Sequence, residues 1–205
     1  LNALLVWQGS LNAEVENYKA DICVYGGTAS GVMAALAAEK EGSTVILIEP
    51  TRCLGGMTGG GINHLDWGKG ETVGGSTYKI LMDGLKDQKR AHGGHAKHGI
   101  GNKQYRERFK KLVKDRGLTV IYDHRVGKVE VGDEIINKPT REEPIALGEK
   151  IVSKNKNNSI RSIILDYAPV DETGCPIPEP KKRHVITISA KVFIDCSYEG
   201  DILGM

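Results

Sequence analysis

Two short hydrophobic runs enclose a glycine-rich turn and a helix near the start of the chain. Residues 20–25 are apolar and rich in strand formers, and this run ends at two consecutive glycines. Small, helix-forming residues continue from Gly31 to Glu39, and Gly42 is placed to end that helix. A second apolar run covers residues 44–48. Because short, continuously apolar runs are typical of strands buried in a parallel sheet, the pattern predicts a βαβ unit.

Helical spacing of apolar residues is found twice in the middle of the chain. Residues 76–90 and 103–116 both have a helical pattern, and in the second segment the charged residues lie opposite the apolar ones. A short apolar run at residues 118–122 then predicts a further strand. The two helices therefore form an insertion, at about residues 76–117, after the βαβ unit.

The remaining pattern predicts an antiparallel meander that is followed by one more buried strand. The meander segments are β-branched or alternate between apolar and polar residues, and they cover residues 126–131, 160–167 and 184–189. Polar loops are expected at 140–158 and 169–182, and the final strand at 192–195. The expected architecture is thus α/β, with a parallel central sheet, a β-meander crossover and a helical insertion.

The composition of the chain excludes several classes of partner. Lys and Arg total 28 against 26 for Asp and Glu, so no strongly basic surface for nucleic acid or anionic membranes is expected. Aromatic residues make up only 5%, which argues against platforms for base stacking. No apolar run approaches the ~20 residues that span a bilayer. A soluble protein that acts on a small molecule is expected.

The cysteines and the first residues indicate little about function. Cys23, Cys53, Cys175 and Cys196 contain no CxxC pair, so neither a disulfide framework nor a zinc finger is expected, and Cys53 is interpreted as structural. The first 13 residues are mildly apolar and are interpreted as a leader remnant. The alternative is the tail of a secretory signal, which would imply export.

The turn between the first strand and the first helix has the pattern of a dinucleotide-binding fingerprint. Gly26–Gly31 is GGTASG, and Glu49 ends the next strand. Gly26 permits a tight turn, Gly31 allows the helix to pack closely on the strand, and the helix amino terminus offers N–H groups to a pyrophosphate. Glu49 is near the ~20-residue spacing of the acid that binds ribose hydroxyls, which favours NAD or the adenosine half of FAD over NADP. A glycine-rich turn without a ligand is the alternative.

A second glycine cluster favours FAD over NAD. Residues 50–61 follow Glu49 directly and contain one basic side chain, Arg52, and a run of glycines. An extended glycine-rich segment can lie along the pyrophosphate and ribityl chain of a long dinucleotide. The fold class is therefore expected to be a Rossmann-like FAD/NAD(P)-binding domain.

The chain resembles the FAD-dependent oxidoreductases, which are part of the glutathione reductase and fumarate reductase-like flavoproteins. The resemblance is found in three segments, VYGGTASGVMAA, VILIEPTRCLGGMTGGG and AKVFIDCSYEGDILG. Threonine at the position of Thr28, where the general fingerprint has glycine, is common in this family. The resemblance spans most of residues 20–205, which are expected to form an FAD-binding domain, and residues 1–19 are expected to be a leader or signal-peptide remnant. That domain is expected to be incomplete, because family members continue with a substrate-facing domain.

The resemblance also implies which residues bind FAD. The glycine turn wraps the pyrophosphate, Glu49 holds the adenosine ribose, and Arg52 with the second glycine cluster follows the phosphates toward the flavin. The backbone of Val126 meets the adenine, and the turn after the last strand contacts the dinucleotide, next to the acidic turn Glu199–Asp201. The implied FAD-binding residues are Gly26, Thr28, Ala29, Ser30, Gly31, Glu49, Pro50, Arg52, Gly55, Gly56, Met57, Thr58, Val126, Cys196 and Ser197.

Two further groups of residues are weaker candidates for chemistry. His64 and Asp66 follow the second glycine cluster, where the family's chain passes the flavin ring, and they are candidates for proton transfer, with a plain loop role as the alternative. His92, His95 and His98 have metal-binding side chains. Their spacing crosses a glycine-rich loop without an interleaved carboxylate or cysteine, so no metal site is expected.

The predicted function is flavin-mediated electron or hydride transfer by an FAD-dependent oxidoreductase acting on a small molecule. Two alternatives stay open. One is an NAD-dependent dehydrogenase that shares the βαβ start, and the other is a non-catalytic nucleotide-binding fragment.

Overall fold

The computed structural model describes residues 15–60, 74–75, 102–137 and 159–205, so the predictions for residues 1–13, 76–90 and 140–158 lie outside the described ranges. The strands and helices of the described part are β1 (Glu16–Tyr25), α1 (Ala29–Lys40), β2 (Val45–Glu49), α2 (Gly56–Gly60), α3 (Asn102–Asp115), β3 (Thr119–Tyr122), β4 (His124–Val131), β5 (Glu134–Asn137), β6 (Ile160–Tyr167) and β7 (Lys182–Asp195). The strands form one sheet in the order β3-β2-β1-β7-β6-β4-β5.

The parallel half of the sheet confirms the predicted βαβ unit. β1 pairs in parallel with β2, β2 with β3, and β1 with β7 on its other side. α1 connects β1 to β2, and Gly42 follows its end with a φ of 88°, a backbone conformation that favours glycine. β1 begins at Glu16 rather than at Ala20, because residues 16–19 also pair with β7.

The antiparallel half confirms the predicted meander but changes its boundaries. β4 pairs with β6 and β6 with β7, in both cases antiparallel. The prediction of separate strands at residues 184–189 and 192–195 is wrong, because β7 is one continuous strand that pairs with β1 as far as Asp195. β5 has no counterpart in the sequence prediction. Its side chains are mostly exposed, so it lacks the buried apolar positions by which a strand is recognised.

The sheet is covered on both faces, and β7 joins its two halves. On one face, Val24 and Leu47 of the parallel strands belong to a cluster with Val32 of α1 and Phe109 of α3. On the other face, the parallel strands pack against the meander, so the sheet curls over itself. This second cluster includes Cys23, Tyr25, Ile46, Ile48, Val126, Val129, Ile163, Leu165, Ile186 and Ile188.

The second predicted helix is confirmed as α3. Tyr105, Phe109 and Val113 are spaced four residues apart, which puts them on one face, and each is at most 4% exposed. This buried face fixes the orientation of the helix on the sheet. In the part of the chain that the structure describes, no helix is both long and apolar enough to cross a membrane.

Ile188 tests the packing between the two halves of the sheet. It is 0% exposed and pairs with Tyr18 of β1 on one side and with Ile163 of β6 on the other. Ile188→Ala removes buried methyl groups and leaves a cavity, so we expect the free energy of unfolding to fall by ~2–5 kcal/mol in urea denaturation. Ile135→Ala, at a side chain that is 55% exposed, is the control and should change it by less than about 0.5 kcal/mol. Equal losses for the two variants would contradict the described core.

Candidate functional site

Three stretches of backbone meet where β1, β2 and β7 end. The Gly26 N–H donates to the Ile48 carbonyl at 2.9 Å, and the Cys196 N–H donates to the Tyr25 carbonyl at 2.8 Å. The Gly55 N–H donates to the Gly27 carbonyl at 2.7 Å. The first glycine turn is thereby held between the second glycine cluster and the turn after β7, at the edge of the sheet where ligands bind in open α/β folds.

The first glycine turn requires glycine at two positions for different reasons. Gly26 has a φ of 95°, and a Cβ there would lie 2.7 Å from the Ser197 nitrogen. A Cβ on Gly31 would lie 1.9 Å from the Gly26 carbonyl oxygen. Neither position accepts a side chain without a shift of the backbone, so both predicted roles of these glycines have a geometric basis.

The amino terminus of α1 is capped by Thr28 and has no acidic residue in its first turn. Thr28 caps the helix, because its side chain accepts a hydrogen bond from the Gly31 N–H at 3.2 Å. The Thr28 hydroxyl also donates to the Cys196 carbonyl at 2.9 Å, which ties the cap to the turn after β7. The first turn of α1 has no acidic residue, so its positive dipole end is not offset by a local carboxylate.

Glu49 is a buried carboxylate at the end of β2. It is 6% exposed, and one of its oxygens accepts hydrogen bonds from the Thr51 N–H at 2.7 Å and the Thr51 hydroxyl at 2.5 Å. Burial raises the pKa of Glu49, and the hydrogen bonds from Thr51 and from the Gly27 backbone only partly oppose this. The ion pairs between described residues do not include Glu49. Its other oxygen lies beside Gly27, where a Cβ would come within 2.6 Å of it.

Asp195 organises the turn after β7. One of its oxygens accepts hydrogen bonds from the Ser197 N–H at 3.0 Å and the Ser197 hydroxyl at 2.7 Å. The other accepts from the Ile202 N–H at 2.7 Å and the Leu203 N–H at 3.1 Å. Partial burial raises the pKa of Asp195, but these hydrogen bonds outweigh burial and hold its pKa below the usual value.

Tyr25 connects this turn to the meander. Its hydroxyl lies 3.3 Å from the Asp201 carboxylate and accepts a hydrogen bond from the Val126 N–H at 3.2 Å. The ring is fully buried, and burial together with the nearby Asp201 carboxylate raises the pKa of Tyr25. The Val126 amide, which the resemblance assigns to the adenine, is thus engaged by Tyr25 in this structure.

A cavity of ≈ 840 Å³ lies at this edge of the sheet, within the ~300–1,000 Å³ of typical cofactor sites. Seven of the predicted residues line it, namely Gly26, Thr28, Glu49, Pro50, Gly56, Met57 and Ser197. The other eight are not among its lining residues. These are Ala29, Ser30, Gly31, Arg52, Gly55, Thr58, Val126 and Cys196.

Arg52 does not line the cavity and pairs with Asp123 instead. Its Nε lies 3.0 Å and 2.8 Å from the two oxygens of the Asp123 carboxylate, and a terminal guanidinium nitrogen lies 2.7 Å from one of them. Asp123 is 7% exposed, so the pair covers a nearly buried carboxylate at the start of β4. The Asp123 carboxylate raises the pKa of Arg52.

Several residues that line the cavity were not assigned to the site from the sequence. Arg106 comes from α3, Arg125 from β4, and residues 172–174 and 176 from the predicted loop between β6 and β7. Tyr198 accepts a hydrogen bond from the Met57 N–H at 2.8 Å through its hydroxyl. The position of Tyr25, directly before the glycine turn at the end of a buried strand, gave a usable signal. The others are Thr51, Cys53, Gly60, Glu199 and Asp201, of which the last two belong to the acidic turn noted in the sequence.

The remaining candidates of the sequence analysis lie elsewhere. His64, Asp66 and the histidines at 92, 95 and 98 are outside the described residues. Within the described ranges no group of three or more metal-ligating side chains is found. Cys53 and Cys196 are free thiols, and burial raises the pKa of Cys196, which keeps this thiol protonated.

The sequence matches the family described as FAD dependent oxidoreductase over residues 21–147, which is more than half of the chain. A comparison with curated proteins gives no match.

The chain is similar in structure to parts of several much longer proteins. An L-proline dehydrogenase from P. horikoshii is 14% identical, with 90% of this chain and 23% of that chain covered and a TM-score of 0.41. A flavocytochrome c3 fumarate reductase is 17% identical, with 87% and 33% covered and a TM-score of 0.45. A geranylgeranyl bacteriochlorophyll reductase-like protein from Thermoplasma acidophilum is 14% identical, with 87% and 39% covered and a TM-score of 0.44. The chain thus spans between 23% and 39% of the length of these structures.

Asp195 makes the free energy of unfolding depend on pH. A carboxylate whose folded pKa is lowered contributes stability above its unfolded pKa and loses it as the pH falls through the folded pKa. At neutral pH we expect Asp195→Asn to lower the free energy of unfolding by about 1–2 kcal/mol, a modest value because the group is partly exposed. Denaturation at a series of pH values should show this difference shrinking below about pH 4. A difference that is constant over the whole range would contradict the assigned role.

Proposed function

Because the chain belongs to the family of FAD-dependent oxidoreductases, we propose that its cavity binds the adenosine diphosphate half of FAD. The cavity lies where β1, β2 and β7 end, and it is lined by the first glycine turn and by Glu49. The observation that carries the proposal is that Thr28, which caps the amino terminus of α1, and Glu49, a buried carboxylate at the end of the neighbouring strand, line the same cavity. Such a pair suits a diphosphate joined to a ribose.

The shape of the glycine turn supports the diphosphate position. The absence of a side chain at Gly26 leaves backbone on the wall that faces the cavity, and Thr28, which caps the first turn of α1, lines the cavity beside it. Backbone N–H groups at a helix amino terminus donate to phosphate oxygens, and the helix dipole favours negative charge there. We infer that the diphosphate lies against this turn.

The environment of Glu49 supports the ribose position. The carboxylate lines the cavity, and hydrogen bonds from Thr51 fix one of its oxygens. A buried carboxylate is stabilised by further donors, and the two hydroxyls of a ribose supply them. A phosphorylated ribose would instead place a second negative charge beside Glu49, so we infer an unphosphorylated ribose.

Membership of the family indicates the type of reaction and the class of substrate, but not the identity of the substrate. When bound, the flavin of FAD supplies a centre that accepts and donates electrons or hydride. The described residues position the cofactor and exclude water around its adenosine half. We propose that the substrate is a small molecule and that it is bound partly by residues beyond those described.

An NAD-dependent dehydrogenase and a non-catalytic nucleotide-binding fragment predict different properties of the purified chain. FAD binding gives a yellow protein that releases FAD on denaturation, whereas NAD binding gives a colourless one. Catalytic reduction of an artificial electron acceptor by the FAD-loaded chain, with electrons taken from a small-molecule donor, would separate an enzyme from a binding fragment. A colourless preparation that binds NAD and not FAD would contradict the proposal.

Glu49→Ala and Gly26→Val test the two halves of the proposed site. Loss of the carboxylate should weaken FAD binding by roughly 10- to 100-fold, the value of charged hydrogen bonds to two hydroxyls. Gly26→Val should abolish FAD retention, because its Cβ would lie 2.7 Å from the Ser197 nitrogen and its φ of 95° is strained for valine. Binding is measured by titration with FAD fluorescence, and circular dichroism verifies that each variant is folded.

The matched control is Glu41→Ala, which removes an exposed carboxylate at the other end of α1. We expect it to bind FAD as the unmodified chain does. Folded Glu49→Ala and Gly26→Val proteins with unchanged flavin content would show that the cofactor lies elsewhere.

A further inference from the structure

The charges around the cavity are unfavourable for a diphosphate. Four acidic side chains line it, and only two cationic side chains do so among the described residues. The acids are Glu49, Glu172, Glu199 and Asp201, and the cations are Arg106 and Arg125. A dianion in this cavity therefore depends on the position of these two guanidinium groups as well as on backbone N–H groups.

Arg52, the basic residue of the second glycine cluster, does not supply this charge. It is not among the lining residues, and it forms a close ion pair with Asp123. Turning it into the cavity would leave a carboxylate that is 7% exposed without its cationic partner, which is costly. Another cationic side chain is therefore needed for the contact with the phosphates that was predicted for Arg52.

Arg106 lines the cavity and lies against the second glycine cluster, at the carboxyl end of α2. Its Nε donates to the Gly59 carbonyl at 3.0 Å, and a terminal guanidinium nitrogen would lie 3.6 Å from a Cβ on Gly60. The guanidinium therefore lies against the carboxyl end of α2. The other end of α2 adjoins Gly55, whose N–H donates to the first glycine turn at Gly27.

The packing of α3 determines where Arg106 lies. Phe109 is buried, and its ring lies against Gly55 at the start of α2. Because Arg106 is three residues before Phe109, it lies on the same side of α3 and faces α2. A guanidinium has five N–H donors in a planar fork, so one carbonyl uses only part of its capacity. Arg125 differs, because its guanidinium donates to the Pro178 carbonyl and its position depends on the loop after β6.

We propose that Arg106 is the cation that binds the diphosphate of the cofactor, in the role that the sequence assigned to Arg52. The inference rests on the proposed function, since it requires an adenine dinucleotide in the cavity. Arg106 acts by binding and orienting the diphosphate from the side of α2, while the amino terminus of α1 binds it from the other side.

The test compares three ligands that share the adenosine group. FAD and ADP contain the diphosphate, and adenosine does not. For Arg106→Gln we expect FAD and ADP to bind roughly 10- to 100-fold more weakly, with adenosine unchanged. Arg106→Lys keeps the charge without the planar fork and should lose only about 3- to 10-fold for FAD and ADP. Dissociation constants are measured by isothermal titration calorimetry, and thermal unfolding verifies that each variant is folded.

Lys111→Gln is the matched control, because it removes one positive charge from the same helix at a side chain that is 73% exposed. Its affinity for all three ligands should equal that of the unmodified chain. Equal weakening by Lys111→Gln and Arg106→Gln would mean a general effect of net charge, and would overturn the inference.

The remaining outcomes are distinguishable. If Arg106→Gln binds FAD and ADP normally, the inference fails while the proposed function stands. If it loses FAD affinity but keeps ADP affinity, Arg106 contacts the flavin side and not the diphosphate, which also overturns the inference. If the unmodified chain binds none of the three ligands, the proposed function itself fails.

Discussion

The site depends on how closely three stretches of backbone approach one another at the end of the parallel strands. Hydrogen bonds of 2.7–2.9 Å join the first glycine turn to β2, to the second glycine cluster and, through Tyr25, to the turn after β7. Such contacts require positions without a Cβ, and Gly26 and Gly31 supply them. The same close packing exposes backbone instead of side chains toward the cavity. A surface of this kind binds a phosphate group through N–H donors, so the packing constraint and the binding chemistry have one cause.

The charged side chains at the site have different partners. Asp195 lies at the end of β7, but its oxygens accept hydrogen bonds from the following turn, so its charge stabilises the protein rather than a ligand. Glu49 is buried and lines the cavity, where it can accept hydrogen bonds from hydroxyls. Arg52 neutralises Asp123, which leaves Arg106 beside the second glycine cluster. Each assignment follows from a partner in the structure and not from the residue type alone.

The sequence predicts the features that depend on local pattern. The βαβ unit follows from two apolar runs around a glycine turn, and α3 follows from helical spacing, because burial of a strand or helix face determines both patterns. The continuity of β7 was missed, since pairing with β1 extends past the point where the alternation stops. The partner of Arg52 lies 71 residues farther along the chain, and the approach of Arg106 to Gly59 likewise joins separate elements. Contacts of this range leave no periodic signal in a single sequence.

The position of the diphosphate is the central claim, and amide chemical shifts test it most directly. The ¹⁵N-labelled chain is titrated with ADP, which contains the diphosphate and ribose without the flavin. The largest changes are predicted at the amides of Gly26, Gly27 and Thr28 and at Thr51, which shares the carboxylate of Glu49. Changes confined to residues remote from this turn, or none at millimolar ADP, would contradict the proposed site.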